Sequence, residues 1–165
     1  PEVAYVAGQS EQERREQSLP TDFGGRLSLL GYTYDQEQLS NERPLFDGDA
    51  WPQGTGGETL RVDTYWRVLD ADGDPLAIFV HLLDNATSVL AGWDGLHVSA
   101  ESWRPGDVFI QVHELRIPDD IARGLYRVEL GVYSPITQQR LSVRRSTRDD
   151  LAPHSRLLLL PIQAR

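Results

Sequence analysis

The sequence has 165 residues, of which 16 are basic and 25 acidic, so that its formal net charge at pH 7 is −9. A charge of this sign argues against nucleic acid as a partner, because phosphates would be repelled. The absence of cysteine excludes disulfides and thiolate metal sites, and no apolar run approaches the roughly 20 residues of a membrane-spanning helix.

Residues 1–22 are predicted to form a polar arm that precedes a β-sandwich domain over residues 23–165. The segment 9–18 has no apolar side chain that could anchor it to a core. Two interpretations of the arm are open. It is either a short solvated helix, capped by Ser10 with Glu13 three residues later, or a disordered spacer.

The first strand is predicted over residues 26–34, where Leu27 and Leu29 share one face. Residues 35–57 are polar and rich in turn-forming residues, which predicts a long surface loop that carries Trp51. The next strand covers residues 58–69, because its apolar side chains alternate with polar ones. Its inner face is expected to hold Leu60, Val62, Trp66 and Val68.

The segment Asp70-Ala71-Asp72-Gly73-Asp74-Pro75 is predicted to be a hairpin connection, since Asp-Gly suits the backbone of such a turn. A calcium loop formed by Asp70, Asp72 and Asp74 is the weaker alternative, because the twelfth position of such a loop should be glutamate and is His81 here. The strand that follows, residues 76–84, is apolar on both parities. It is therefore expected in the middle of a sheet.

A short strand at residues 89–93 and a loop at 94–102 lead to the turn Trp103-Arg104-Pro105-Gly106-Asp107. In the strand after this turn, the apolar side changes parity between Val112 and Leu115. This change predicts a β-bulge near His113-Glu114. Residues 124–133 give the clearest alternation of the chain, with one apolar face formed by Tyr126, Val128, Leu130 and Val132.

Short strands at residues 140–143 and 156–162 complete the predicted elements. About eight strands separated by turns, with scarcely any helical period, indicate an all-β fold. The expected architecture is a two-layer antiparallel β-sandwich, either immunoglobulin-like or similar to a carbohydrate-binding module.

Several motifs together resemble the β-sandwich domain that follows the membrane part of bacterial multi-spanning glycosyltransferases of the dolichyl-phosphate-mannose mannosyltransferase type. The resemblance covers nearly all of residues 23–162. Its motifs are Phe23-Gly24-Gly25-Arg26-Leu27-Ser28-Leu29-Leu30-Gly31-Tyr32, Gly57-Glu58-Thr59-Leu60, Tyr65-Trp66-Arg67, Phe79-Val80-His81-Leu82-Leu83-Asp84, Trp103-Arg104-Pro105-Gly106-Asp107, Gly124-Leu125-Tyr126, Gly131-Val132-Tyr133 and Arg140-Leu141.

This resemblance implies a bacterial, extracytoplasmic, non-catalytic accessory module, with the polar arm as the tether to a membrane domain of the same parent protein. The chemistry of such enzymes belongs to loops of that membrane domain. One segment departs from the family pattern. Ala91-Gly92-Trp93-Asp94 has Trp93 where a glutamine is expected before the aspartate, which replaces a polar contact by an aromatic surface.

Trp51, Trp93 and Trp103 are all predicted near loops, so the three indoles could gather at one end of the sandwich. With Asp94 beside them they form the candidate carbohydrate-binding site, because sugar rings stack on aromatic side chains while polar groups bind the hydroxyls. The ligand would be a glycan or a lipid-linked sugar. The alternative is that each indole closes an edge of the core beneath its loop.

Catalysis is not predicted, and no cofactor is expected. Two carboxylate pairs, Asp94 with Glu129 and Asp84 with Glu114, would suit a glycoside hydrolase, but the sequence does not fix their separation. The four histidines show no metal-ligand spacing, and His81 is expected to be a hydrogen-bonded core residue. The remaining alternative is a structural or protein-interaction module that packs on a membrane domain or associates with itself, its oligomeric state undetermined.

Overall fold

The computed structural model describes residues 20–35, 52–144, 155–159 and 161–165. Within these ranges the only helix is a short 3-10 turn, Ala100–Ser102, and no helix is long and apolar enough to cross a bilayer. The remaining elements are eleven β-strands: β1 Thr21–Phe23, β2 Leu27–Asp35, β3 Gln53–Gly54, β4 Thr59–Val68, β5 Ala77–Leu83, β6 Val89–Gly95, β7 Val108–Arg116, β8 Gly124–Tyr133, β9 Val143–Arg144, β10 Leu157–Leu158 and β11 Ile162–Ala164.

The strands form two sheets that face each other across one core. The first sheet has the order β7-β4-β2-β1-β9, and the second has the order β3-β11-β8-β5-β6, with β10 also paired to β8. Strand pairs are antiparallel except for β3 with β11, which run parallel. The prediction of a two-layer antiparallel β-sandwich is confirmed, and the strand count rises above eight because the structure adds several pairs of two or three residues.

The core forms where the period-two alternation of each strand points inward. Trp66 of β4 is fully buried and meets the Phe23 ring edge to face, with 5.4 Å between the centroids. Strand β5 lies between β8 and β6, as its apolar composition on both parities predicts, and Phe79 on its outer side is as buried as the residues of its inner side. The inner sides of β5 and β8 contribute Ile78, Val80, Leu82, Val128, Leu130 and Val132 to the core.

Strand β7 contains no bulge, so the expectation of one near His113-Glu114 is wrong. Its register against β4 is unbroken from Val108 to Arg116. The inner side includes Gln111 and His113, both fully buried, whereas the apolar Val108 and Ile110 point outward and are 58% and 52% exposed. The strand therefore keeps its alternation by burying two polar side chains, which is possible because both find hydrogen-bond partners inside.

The segment Asp70–Pro75 is not a hairpin connection, because the strands on its two sides belong to different sheets. β4 pairs with β2 and β7, while β5 pairs with β6 and β8. Gly73 has a φ of 109°, as an Asp-Gly turn requires. The turn chemistry was identified correctly, but a local turn signal does not specify which strands pair.

The sandwich begins slightly before the predicted boundary at residue 23. Thr21 and Asp22 belong to β1, which pairs with β2 on one side and β9 on the other. Residues 1–19 of the predicted arm 1–22 and residues 36–51 of the predicted loop 35–57 lie outside the described residues.

A glycine allows the two central strands of the second sheet to hold a large ring on their outer side. Gly131 of β8 lies opposite Phe79 of β5. A methyl group built on Gly131 would overlap the Cζ and Cε1 atoms of Phe79 and would lie 3.1 Å from the carbonyl oxygen of Ser155. The Phe79 ring therefore occupies the volume that a side chain at residue 131 would need.

The substitution Gly131→Ala is expected to destabilise the protein by about 1 to 3 kcal/mol, because the ring is fully buried and overpacking forces it from its rotamer. Gly31→Ala is the matched control, since a Cβ at residue 31 meets no atom within 4 Å. It should be neutral or slightly stabilising. Urea denaturation of both variants measures the difference, and equal unfolding midpoints would contradict this account of Gly131.

Candidate functional site

The outer side of the second sheet carries a group of polar and charged residues that we call the His81 cluster. It is supplied by the three neighbouring strands β6, β5 and β8 and by two arginines from connecting segments. Its members are Phe79, His81, Asp94, Glu129, Tyr133, Arg140 and Arg156.

Cross-strand register brings the centre of the cluster together. His81 of β5 lies opposite Glu129 of β8 on one side and opposite Gly92 of β6 on the other. A Cβ on Gly92 would lie 2.8 Å from His81 Cδ2, so the glycine leaves the space in which the imidazole lies. The ring can therefore reach Asp94, which follows two residues after Gly92 on the same side of β6.

His81 bridges two carboxylates. Its Nδ1 lies 3.0 Å from Glu129 Oε1, and its Nε2 lies 2.9 Å from Asp94 Oδ1. Partial burial lowers the pKa of His81, but the hydrogen bonds with Glu129 and Asp94 and their negative charges outweigh the burial. The pKa of His81 is consequently raised above its ordinary value.

Glu129 is the buried anchor of the cluster, with a side chain only 4% exposed. Arg156 Nη1 donates to its Oε2 at 2.8 Å, and Arg140 Nη2 lies 3.7 Å from its Oε1. Burial raises the pKa of Glu129. The hydrogen bonds from His81 and Arg156 and the charges of the two arginines lower it by a larger amount, so the pKa of Glu129 lies below its ordinary value. This carboxylate is ionised at neutral pH, and its partners are two guanidinium groups and the His81 imidazole.

Two aromatic rings, Phe79 and Tyr133, contact the charged members of the cluster. The Arg140 guanidinium lies 4.4 Å above the centroid of the Phe79 ring, a cation-π contact. The same ring stacks on His81, with 4.8 Å between the centroids and 27° between the planes. Tyr133 is hydrogen-bonded to Asp94, and its pKa is raised, first by burial and then by the Asp94 charge.

Three members of the cluster present polar atoms to solvent. The side chains of Asp94, Arg140 and Arg156 are 43%, 40% and 39% exposed. The carboxylate accepts hydrogen bonds and the two planar guanidinium groups donate them. Their positions are fixed from below by His81, Glu129 and Phe79, so the surface is a preorganised set of donors and acceptors.

Of the predicted tryptophans, the structure describes Trp93 and Trp103, and it does not bring these two together as an exposed platform. Trp93 lies on the inner side of β6, opposite Val80, and its ring meets His97 and His113 edge to face. Trp103 is only 7% exposed and stacks on Phe109. Trp103 belongs to the buried core and Trp93 packs against it, as the alternative interpretation expects.

The remaining members of the predicted sugar site fall in different places. Trp51 lies outside the described residues. Among the described residues of that site, Asp94 belongs to the His81 cluster and lies on the opposite side of β6 from Trp93. The predicted pair of carboxylates Asp94 and Glu129 does meet, but through the His81 imidazole rather than across an open cleft.

The weaker calcium alternative is not supported by the geometry of the loop. The Asp70 side chain accepts the amide of Asp72, and the Arg26 guanidinium donates to the carbonyls of Asp70 and Asp74 at 3.2 and 3.3 Å. The Arg26 guanidinium therefore occupies carbonyl oxygens of this loop that a calcium ion would need as ligands. Throughout the part of the chain that the structure describes, no three His, Asp or Glu side chains are arranged to hold a metal ion.

A second polar group is buried between the sheets on β4 and β7. His113 Nε2 lies 2.9 Å from Thr64 Oγ1, and this hydroxyl also accepts the indole N–H of Trp66 at 2.7 Å. Burial lowers the pKa of His113 to about 3, with a further contribution from His97, while Asp63 opposes them. The imidazole is therefore neutral, and its Nδ1 has no hydrogen-bond partner.

Sequence reasoning missed four members of the His81 cluster as site residues: Phe79, Tyr133, Arg140 and Arg156. One signal was available, because His81 and Glu129 both interrupt strongly apolar strands. An ionisable residue in such a strand needs a charged or hydrogen-bonding partner, which favours a pairing between the two strands. The two arginines come from separate connections, and nothing local in the sequence places them on Glu129.

Comparison with known proteins establishes the fold and no family. No protein-family model matches the chain, and neither does any curated protein sequence. The crystal structure of the C-terminal domain of wzt is similar over 88% of this chain and 77% of that domain, with 15% sequence identity and a TM-score of 0.55. The CARDB domain of the PF1109 protein from Pyrococcus furiosus, solved with di-metal ions, covers 70% of this chain and 86% of its own length, with 13% identity and a TM-score of 0.38.

The buried His113 predicts a loss of stability in acid. Since the folded pKa is about 3 and the ordinary value is 6.5, the unfolded chain binds the proton over this interval and the folded chain does not. Between pH 7 and pH 5 the wild type should lose about 2 kcal/mol more than His113→Gln. Urea denaturation at both pH values measures this difference.

The exposed His97 gives the control, because His97→Gln leaves His113 buried and removes only the smaller contribution of His97, so most of the acid sensitivity of the wild type should remain. A His113→Gln variant whose stability falls as steeply as that of the wild type between the two pH values would contradict the assignment.

Proposed function

We propose that this chain is a non-catalytic recognition module that binds a glycan, free or lipid-linked, on the outer side of its second sheet through the His81 cluster. We place it on the extracytoplasmic side as an accessory domain of a bacterial membrane glycosyltransferase. The support for that setting is the resemblance of residues 23–162 to domains of this kind. The likeness to the wzt domain supports the sandwich fold.

The observation that carries the proposal is that a fixed carboxylate, Asp94, and two exposed guanidinium groups lie on the same side of the second sheet. His81 and Tyr133 hold the carboxylate, while Glu129 draws both Arg140 and Arg156 to the same sheet. Each sugar hydroxyl can donate one hydrogen bond and accept others, so a surface with both kinds of group suits it. Preorganised groups also lower the entropy cost of binding a flexible oligosaccharide.

The charges of the cluster favour binding over hydrolysis. A glycoside hydrolase needs a carboxylic acid whose pKa is raised, so that it can protonate the leaving oxygen. The pKa of Glu129 is lowered instead, and both of its oxygens are occupied by His81, Arg140 and Arg156. Neither condition suits a general acid.

A second candidate function, association of two copies, is favoured by a different surface. In the described part of the chain β7 ends the first sheet, and its outward side chains include the exposed Val108 and Ile110. An edge strand with β-branched apolar residues can pair with a second copy of itself. Light scattering tests this: Val108→Lys and Ile110→Lys together should convert a dimer to a monomer, whereas a monomeric wild type would contradict this function.

Glycan binding predicts chemical-shift changes localised to β5, β6 and β8. A panel of neutral and acidic oligosaccharides, titrated to millimolar concentration against the isotope-labelled protein, should move amide signals around Asp94. The substitution Asp94→Ala should weaken a positive glycan roughly tenfold or more, because a hydrogen bond to a charged group contributes about 1.5 to 3 kcal/mol.

Asp72→Ala is the matched control, since Asp72 is an exposed aspartate of the connection between the sheets and lies outside the cluster. It should bind as the wild type does. Unchanged spectra across the whole panel, or equal affinities of the Asp94→Ala and Asp72→Ala variants, would argue against the proposed site.

A further inference from the structure

We propose that His81 is the positioning residue of this face: as an imidazolium it ties Asp94 to the buried Glu129, and loss of its proton releases Asp94 and weakens ligand binding. The effect on binding rests on the proposed function. The tie between the three residues does not, because it follows from the geometry of the unliganded protein.

The hydrogen-bond pattern requires two donors on one ring. An ionised carboxylate can only accept, and both ring nitrogens lie at hydrogen-bond distance from carboxylate oxygens. A neutral imidazole has one N–H, so one of its two contacts would set a nitrogen lone pair against a carboxylate oxygen. Only the imidazolium satisfies Glu129 and Asp94 together.

Whether the shared proton lies on His81, on Glu129 or on Asp94 depends on the other partners of each carboxylate. Glu129 is ionised because Arg156 holds its second oxygen and Arg140 lies near the first. The Asp94 side chain is 43% exposed and is hydrogen-bonded to Tyr133, so water and a hydroxyl both solvate its negative charge. Neither carboxylate is a good site for the proton, which therefore stays on His81.

The groups that face the imidazole come from every element around it. Strand β6 contributes Asp94, and strand β8 contributes Glu129 and Tyr133. The two guanidinium groups oppose a third positive charge, and Glu129, against which both lie, offsets part of that repulsion. Phe79 on the same strand stacks on the ring, an arrangement that favours a cation.

Deprotonation of His81 leaves Asp94 with one partner fewer. The one N–H of the neutral imidazole is expected to stay with Glu129, because a buried carboxylate loses more without a donor than an exposed one does. Asp94 then keeps Tyr133 and faces the nitrogen lone pair. An exposed side chain with a single tether samples more rotamers. A ligand that needs Asp94 in one position therefore binds less tightly as the pH rises through the midpoint of His81.

The same protonation contributes to stability in a defined direction. Because the pKa of His81 is raised in the folded protein, its contribution is fully present below the ordinary value of 6.5 and is lost as the pH rises through the folded value. This response is opposite to that of His113, which loses stability toward acid.

The unliganded protein provides the first test. Imidazole nitrogen spectra of the labelled chain, assigned with His81→Gln, should show both His81 nitrogens protonated at pH 6.5 and a titration midpoint above that of a histidine in a model peptide. The Asp94 side-chain carboxyl carbon should follow the same midpoint. The variant Glu129→Gln should lower the midpoint, while Asp119→Asn, which alters an exposed ion pair with Arg116, should leave it unchanged.

A neutral His81 tautomer at pH 6.5, or an Asp94 signal that ignores the His81 midpoint, would overturn the proposal. Thermal melts of Glu129→Gln establish whether this variant folds. Should it fail to fold, Asp94→Asn replaces it, because removal of the more exposed carboxylate must also lower the midpoint.

The second test uses a glycan that binds the wild type. Its dissociation constant should rise several-fold between pH 6 and pH 9, whereas His81→Gln should bind weakly at both pH values with a flat profile. Equal pH profiles for the wild type and the variant would overturn the positioning role. A normal His81 titration with no glycan bound at any pH would instead overturn the proposed function and leave the tie between the three residues established.

Discussion

The constraint on which the site depends is the burial of a charge inside a sheet. Glu129 occupies the middle of β8, where neighbouring residues on both sides of the strand are buried, and its carboxylate is almost inaccessible to solvent. An uncompensated charge in such a place is costly, so the surrounding structure must supply cations. Two guanidinium groups from separate connections and the His81 imidazole from β5 converge on this one side chain.

This convergence links the folding of distant segments to the composition of the surface. Arg156 precedes β10, and Arg140 forms a bridge with Tyr133 at the end of β8. The two guanidinium groups reach the outer side of the second sheet because Glu129 attracts them. Arg140 and Arg156 therefore have two roles. They compensate the buried Glu129 carboxylate, and they provide the exposed hydrogen-bond donors of the proposed ligand surface.

Two histidines show how the environment shifts the pKa of the same side chain in opposite directions. His81 and His113 lie on different sheets, and both interrupt apolar alternation. His81 meets two carboxylates and gains affinity for a proton, whereas His113 meets a hydroxyl and an indole and loses it. The response of each histidine to pH follows from its neighbours and could not be assigned from residue type.

The sequence predicted the parts of the fold that depend on alternation within one strand. The inner faces of β4 and β8 and the central place of β5 were identified from the spacing of apolar residues. Alternation failed at β7, because Gln111 and His113 are polar residues that the core accepts. The alternation predicts that these two side chains point outward, and a bulge is then needed to place Leu115 in the core.

Pairing between strands was predicted less well, for a related reason. The turn at residues 70–75 was recognised from its Asp-Gly pair, yet the chain uses this turn to change sheets. Turn chemistry describes the local backbone, whereas the choice of neighbour depends on the burial of whole faces. Sites that consist of cross-strand pairs are therefore as hard to predict from sequence as the strand pairing itself.

The candidate site illustrates that difficulty directly. Tryptophan was the expected ligand group because indoles often bind sugars, but large rings also bury the most apolar area. Trp103 and Trp93 are used for burial, against Phe109 and against His113 respectively. Asp94, named only as their companion, proved to be the residue on the outer side.

The location of the cluster on a sheet face, rather than on loops, has a physical consequence for recognition. Residues of paired strands are held by the backbone ladder on both sides, so their side chains keep fixed spacings. His81 has a neighbouring strand on each side, and the glycine at position 92 leaves the space that its ring fills. A ligand on this face would meet groups whose positions are set by strand register. Its specificity would then be determined by the residues that occupy the outward positions of β5, β6 and β8.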